Sequence, residues 1–214
     1  GFFDALVTPW SGDSRDNNLR ADTILEKLAT LRTVFDKGSK ATLSAGNSTS
    51  LTDGAAAVLL CSEEWAAEHE LPVQAYLTTG RSAAVDFVND EGLLMAPTVA
   101  VAEMLQRTGL KVQDFDFSEI HEAFAAQVLC TLKAWESEDY CRERLGLSEP
   151  LGSIDRDKMN IHGSSLAVGH PFAATGARIL ATLSQILEKK GSGRGLISVC
   201  TAGGMGVCAI LERP

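Results

Sequence analysis

His170 stands between Gly169 and Pro171 in the stretch GSSLAVGHPFAATG, in a chain that holds only four histidines. Its setting suits a general base. Pro171 fits the first turn of a helix, where its missing N–H is not needed and its fixed φ is already helical. That places His170 at or just before the N-cap of a helix carrying Ala177, Leu180, Leu183 and Leu187, with Lys189 and Lys190 in the last turn and Gly191 as the stop. The positive pole of the helix dipole disfavours imidazolium, so the ring is expected to be neutral near pH 7 and able to accept a proton. Gly163 and Gly169 are expected to let a ligand approach the backbone, and first-turn N–H groups attract negative charge. The motif alone also fits a histidine that merely caps a helix.

Two further reactive side chains sit where elements end. His121 opens HEAFAAQVLCTLKAW directly after the strand candidate FDFSEI, and Cys200 closes the run LISVC ahead of the turn CTAGGMG. Taken singly, Cys200 reads as a strand-end core cysteine. Glu122 either orients His121 or caps its helix.

The elements that must hold these groups follow from periodicity and punctuation. Residues 11–21 read as a polar loop. Thr23 and Glu26 form a capping-box pattern ahead of a short helix through Leu28, Leu31 and Phe35, ended by Gly38. The apolar run Ala55 to Leu60 is a strand or a buried helix, and Ser62 caps a helix that begins with Glu63 and Glu64. PVQAYLTTGRSAAV is a strand. Pro97 opens a helix with Val101, Met104 and Leu105 that stops at Gly109. Phe124, Val128, Leu132 and Trp135 form one helical stripe. SEDYCRERLGLSEPLGSIDRDK reads as a polar connector and MNIHG as a brief strand. Leu196–Cys200 and Gly206–Leu211 form a hairpin. GSGRG lacks the spacing and context of a nucleotide cradle and reads as a turn. Strands alternating with helices indicate a layered α/β sheet.

Composition narrows the class. The 214 residues are 45% hydrophobic and 22% charged, ordinary for a globular protein. A net charge of −9 argues against nucleic acid or an anionic membrane as the main partner. No apolar stretch reaches the length of a membrane span. Five cysteines without CxxC spacing fit a reduced, cytoplasmic setting better than a disulfide framework or a metal site. The opening GFFDALVTPW has neither an initiating Met nor a signal-like segment, and the expectation is a fragment whose N-terminus lies elsewhere.

The motifs HEAF (His121–Phe124), GHP (Gly169–Pro171) and Cys200-Thr201-Ala202 occur in the order of the third, fourth and fifth motifs of the thiolases, and AGNSTSLTDGAA (Ala45–Ala56) matches a further stretch. The chain therefore resembles the C-terminal half of a thiolase. His121, in place of the more familiar Asn, and HPFAATG resemble the degradative branch that includes trifunctional-enzyme β subunits. Ala202 departs from the usual CxG glycine, a tolerable change at a position used through its backbone N–H.

The resemblance implies a thiolase-like α/β fold. Residues 1–51 would be the tail of an inserted loop region, 52–72 the last elements of an N-terminal core domain, and 73–214 a C-terminal core domain. It implies acyl transfer between 3-ketoacyl-CoA and CoA, with coenzyme A as substrate and no cofactor or metal. His170 would activate a nucleophilic cysteine, Cys200 would serve as acid/base, and His121 and the Ala202 N–H would contribute to two oxyanion holes. Ser48 and Thr49 would contact CoA, and Phe124 would line the acyl pocket. No motif for the nucleophilic cysteine occurs, so the chain alone is expected to be inactive and to expose Ala55–Leu60 and the LISVC and VCAIL strands. A homo-oligomer is expected, and a hydratase/dehydrogenase partner subunit is left open. A condensing ketosynthase of the same fold and a non-catalytic acyl-CoA- or lipid-binding relative are the alternatives.

Overall fold

A computed structural model describes residues 1–214. Its helices are α1 (Leu25–Ala29), α2 (Glu63–Glu68), α3 (Ala96–Thr108), α4 (Ala125–Glu136), α5 (Glu138–Leu145), α6 (Ser165–Val168) and α7 (Thr175–Lys190). The strands are β1 (Tyr76–Ala84), β2 (Phe117–Ile120), β3 (Gly193–Thr201) and β4 (Met205–Arg213). They form one sheet in the order β1-β4-β3-β2, antiparallel except for the parallel pair of β2 and β3.

Alternation along the strands sends side chains to two different cores. On one face Leu196, Cys208, Ile210 and Ile120 pack under α3 and α4, where Val101, Met104, Leu132 and Trp135 are all buried. On the other, Ile197 and Leu211 meet Ile179, Leu183 and Leu187 of α7. The result is the expected α/β layering, with the sheet between helices.

Local signals hold at several places. Pro97 lies at the start of α3 and Gly109, at φ 72, ends it with its N–H on the Leu105 carbonyl. The Ser62 hydroxyl caps α2 by accepting from the Trp65 N–H. The hairpin of β3 and β4 turns through Ala202–Gly204. All five cysteines are free. No helix is long and apolar enough to cross a membrane.

Five expectations are corrected. The first helix covers only Leu25–Ala29, and the Thr23 hydroxyl donates to the Arg20 carbonyl rather than closing a capping box. The expected connector after Ser137 contains α5, capped by the Ser137 hydroxyl and ended by left-handed Gly146. MNIHG is not a strand, because Asn160 sits at φ 49 and only Met159 bridges to Ser118. Helix α7 starts at Thr175, not Pro171, since Ala173 at φ 68 interrupts a helical path between them. Ala55–Leu60 forms neither helix nor strand, with Leu59 67% exposed, but the β3 and β4 strands do not share that fate: Leu196, Ile197, Ile210 and Leu211 are buried between the helical layers.

Gly206 allows α3 to approach β4. A Cβ there would lie 2.6 Å from the Pro97 backbone nitrogen, an atom that cannot swing aside. Gly206→Ala is expected to destabilise the fold by about 1–3 kcal/mol in urea titration. An unchanged midpoint would show that α3 is not seated against this strand.

Candidate active site

The parallel strands β2 and β3 end side by side, and His121 and Cys200 emerge at those ends, where open α/β sheets place their ligands, while His170 comes from the loop between α6 and α7. The His121 N–H continues the ladder by donating to the Ser198 carbonyl at 2.8 Å. Asn160 then clamps the end of β2: its side chain accepts from the Ile120 N–H at 2.8 Å and donates to the Ile120 carbonyl at 2.9 Å, imitating a neighbouring strand. The same amide donates to Glu122, whose other oxygen accepts from the Leu166 N–H at the head of α6. Glu122 thus ties the HEAF loop to the segment leading into GHP.

The GHP loop is docked from a second side. The His170 N–H donates to the Ser50 carbonyl and Thr49 donates its hydroxyl to the Ser165 carbonyl at 2.8 Å. Gly169, at φ 87, could not carry a Cβ, which would lie 2.6 Å from Thr52. Its missing side chain makes room for the chain's own loop, not for a ligand as expected, whereas Gly163 has only Ala167 near.

His121 links the reactive groups. Its ring centroid is 4.3 Å from that of His170. It also shares with Cys200 a cavity of about 10 Å³ bounded by Pro97, Ser198 and Thr131. His170 is half-buried and opens on a separate cleft of about 470 Å³, lined by Leu51–Gly54, Pro171 and Phe172 and containing no cysteine. The sequence-derived trio is therefore brought together, with His121 in the middle.

Burial sets the charge states. It pushes the His121 pKa down to about 3, with help from His170 and the Arg178 guanidinium. His170 is lowered too, by burial and then by Arg178. Burial pushes the Cys200 thiol up to about 11 against the pull of the Cys200 and Ala123 amides, so it keeps its proton. Ala202 is exposed, and its N–H enters no backbone hydrogen bond.

The remaining expected site residues serve first as structure. Ser48 pairs with Phe124 across an isolated bridge, its hydroxyl buried without a partner, and Thr49 has committed its hydroxyl to Ser165. Phe124 meets Phe35 edge to face at 5.5 Å. His170 is set not by a helix N-cap but by Thr175, whose hydroxyl lies 2.5 Å from Nδ1.

Sequence reading passed over Arg178, Ser165, Asn160 and Glu119. Arg178 offered one signal: a cation in the first turn of a helix opposes the dipole and needs a reason. It is mostly buried, donating to Ser164 Oγ at 3.1 Å and to Ser165 Oγ at 2.7 Å. Glu119, a charged residue inside a buried strand, has both carboxylate oxygens unpartnered.

Burial raises the Glu119 pKa from its ordinary 4.5 to about 8, against the pull of Arg178. Between those values the unfolded chain is ionised while the folded chain keeps the proton, so this group's contribution to stability falls as pH rises through that window. Glu119→Gln should match the native chain in urea stability at pH 4 and exceed it by roughly 1–4 kcal/mol at pH 8. An equal difference at both pH values would mean that Glu119 does not carry its proton in the fold.

Family models of the thiolase N-terminal domain and of the thiolase C-terminal domain match residues 8–64 and 71–213. A 3-ketoacyl-CoA thiolase of Yersinia pestis bv. Antiqua (strain Angola) is 45% identical over 92% of this chain and 44% of its own length. Among solved structures, the Bacillus anthracis acetyl-CoA acetyltransferase superposes with a TM-score of 0.74 at 35% identity, over 92% of this chain and 45% of that one. The dimeric peroxisomal thiolase of Saccharomyces cerevisiae does so with a TM-score of 0.73 at 36% identity, over 91% and 44%. The chain spans a little under half the length of the relatives it matches.

Proposed function

Because the chain belongs to the thiolase family, we propose that it supplies the His-His-Cys side of a 3-ketoacyl-CoA thiolase, an acetyl-CoA C-acyltransferase that uses CoA as substrate and no cofactor. The observation that carries this reading is the contact of the His121 and His170 rings, with Cys200 across a cavity shared with His121, in a setting whose burial favours neutral imidazoles and a protonated thiol. Each group has the charge state that its step requires.

The Thr175 hydroxyl reaches the Pro171 carbonyl at 3.4 Å as a helical threonine does, and so can accept the His170 Nδ1–H. His170 Nε2 is then left with a lone pair to take the proton of a cysteine thiol. The thiolate attacks the C3 carbonyl of the substrate, the C2–C3 bond breaks, and the electron pair passes to the acetyl-CoA enolate. Cys200 protonates that enolate at C2, a task suited to a thiol that holds its proton. CoA gives its thiol proton to the Cys200 thiolate and attacks the acyl-cysteine thioester; the shortened acyl-CoA leaves, and the expelled cysteine thiolate takes back the proton held on His170. His121 donates to the developing thioester enolate oxygen, and the Ala202 N–H contributes to the second anion trap.

No cysteine lines the His170 cleft, so the nucleophile is assigned to a polypeptide region that this chain does not contain. The physiological setting that fits is fatty-acid β-oxidation in the cytoplasm, by a homo-oligomer that could receive its substrate from a hydratase/dehydrogenase subunit. The exposed Ala55–Leu60 run, within the stretch that matches the thiolase N-terminal domain, is the natural place for the rest of that domain to add its sheet.

Two outcomes follow. The 214-residue chain alone should show no CoA-dependent cleavage of acetoacetyl-CoA; measurable turnover would mean that one of its own cysteines is the nucleophile. In a full-length enzyme carrying this sequence, Cys200→Ala should retain acetyl exchange between labelled CoA and acetyl-CoA while losing thiolysis by roughly 10²–10⁴-fold. Equal loss of both would remove Cys200 from proton transfer at C2.

A further inference from the structure

Ser165 is fully buried at the first position of α6, and its hydroxyl has two neighbours: His121 Nδ1 at 2.8 Å and an Arg178 guanidinium nitrogen at 2.7 Å. The two neighbours are not equivalent. A guanidinium only donates, so the Ser165 oxygen must accept from Arg178. Its own proton is sealed from water and needs an acceptor, and His121 Nδ1 is the one within reach.

We infer that Arg178 and Ser165 form a relay that holds His121 as the Nε2–H tautomer. Arg178 fills one lone pair of the hydroxyl, the hydroxyl proton is turned onto Nδ1, and the ring's single proton is left on Nε2. Arg178 is itself aimed by Ser164 Oγ at 3.1 Å. Ser165 is fixed through its backbone, whose carbonyl accepts from the Thr49 hydroxyl and from the Gly169 N–H. Neither Arg178 nor Ser165 touches the reacting atoms; both are positioning residues.

The consequence is a division of labour between two rings in contact, tilted 46° to one another. His121 becomes a hydrogen-bond donor, while Thr175 leaves His170 an acceptor at Nε2. A swap of tautomers would leave the anion trap without its donor and the thiol without its base. That catalytic consequence rests on the acyl-transfer reading, but the tautomer is a property of this chain by itself.

A long-range ¹H–¹⁵N correlation spectrum of the uniformly ¹⁵N-labelled 214-residue chain at pH 7 reads it directly. His121 is expected to carry its proton on Nε2, with a slowly exchanging Ser165 hydroxyl proton correlated to Nδ1. Ser165→Thr should preserve both signals. Ser165→Ala should abolish the hydroxyl signal and raise the Nδ1–H population about five- to tenfold, and Arg178→Met should do likewise by freeing Ser165 to accept. A native spectrum with the proton on Nδ1 overturns the relay whether or not any variant folds. So does an unchanged tautomer ratio in folded Ser165→Ala and Arg178→Met chains. Failure of the acyl-transfer reading would show instead in the exchange assay and leave these spectra as expected.

Discussion

A guanidinium buried at the head of a helix is the constraint around which this site is arranged. Arg178 has no carboxylate within ion-pair distance; its donors end on the hydroxyls of Ser164 and Ser165, and its charge is offset at longer range by Glu122 and Asp16. Burying a cation in this way is costly, and it stands against the dipole of α7. The fold supports it by converging three segments on it: the end of β2, the short helix α6 and the first turn of α7.

The cost has a chemical return. Burial first, and then the positive charge of Arg178, keep imidazolium from forming at His121 and His170, with the His170 ring adding to the effect at His121. Two rings with centroids 4.3 Å apart can then remain uncharged at neutral pH, one presenting a proton and the other a lone pair. Cys200 completes the set in the opposite sense, since the same exclusion of water that neutralises the imidazoles holds its proton in place. Burial thereby acts on all three groups, on His121 and Cys200 around one small cavity and on His170 at the edge of its own cleft. The ties made by Asn160, Glu122 and Thr49 hold the HEAF loop and the segment leading into GHP in place.

Much of the fold could be read from the chain because its signals are local. Pro97 and Gly109 bracket α3, alternation and a glycine-rich turn mark β3 and β4, and Ser62 caps α2. What escaped depends on distant partners. Helix α5 buries only Cys141 and has almost no apolar stripe, so it resembled a connector. Asn160 passed for part of a strand because nothing in MNIHG reveals that its side chain serves as the ladder partner of β2. Motif residues of the site were legible as His121, His170 and Cys200, whereas Ser165 looked like a linker serine: its meaning comes from Arg178 and His121, which reach it across the fold. The start of α7 was misplaced by four residues for a related reason, the left-handed Ala173 that sets the GHP loop apart from the helix.

The central claim is that burial and Arg178 together hold the two histidines neutral, and an NMR titration of the histidine rings between pH 4 and 8 tests it most directly. His121 should show no titration in that range, consistent with a pKa near 3, and His170 should titrate below the ordinary value of 6.5. Arg178→Met should raise both midpoints by removing the neighbouring charge. A native His121 that titrates at or above 6.5, or midpoints unmoved in a folded Arg178→Met chain, would contradict the account.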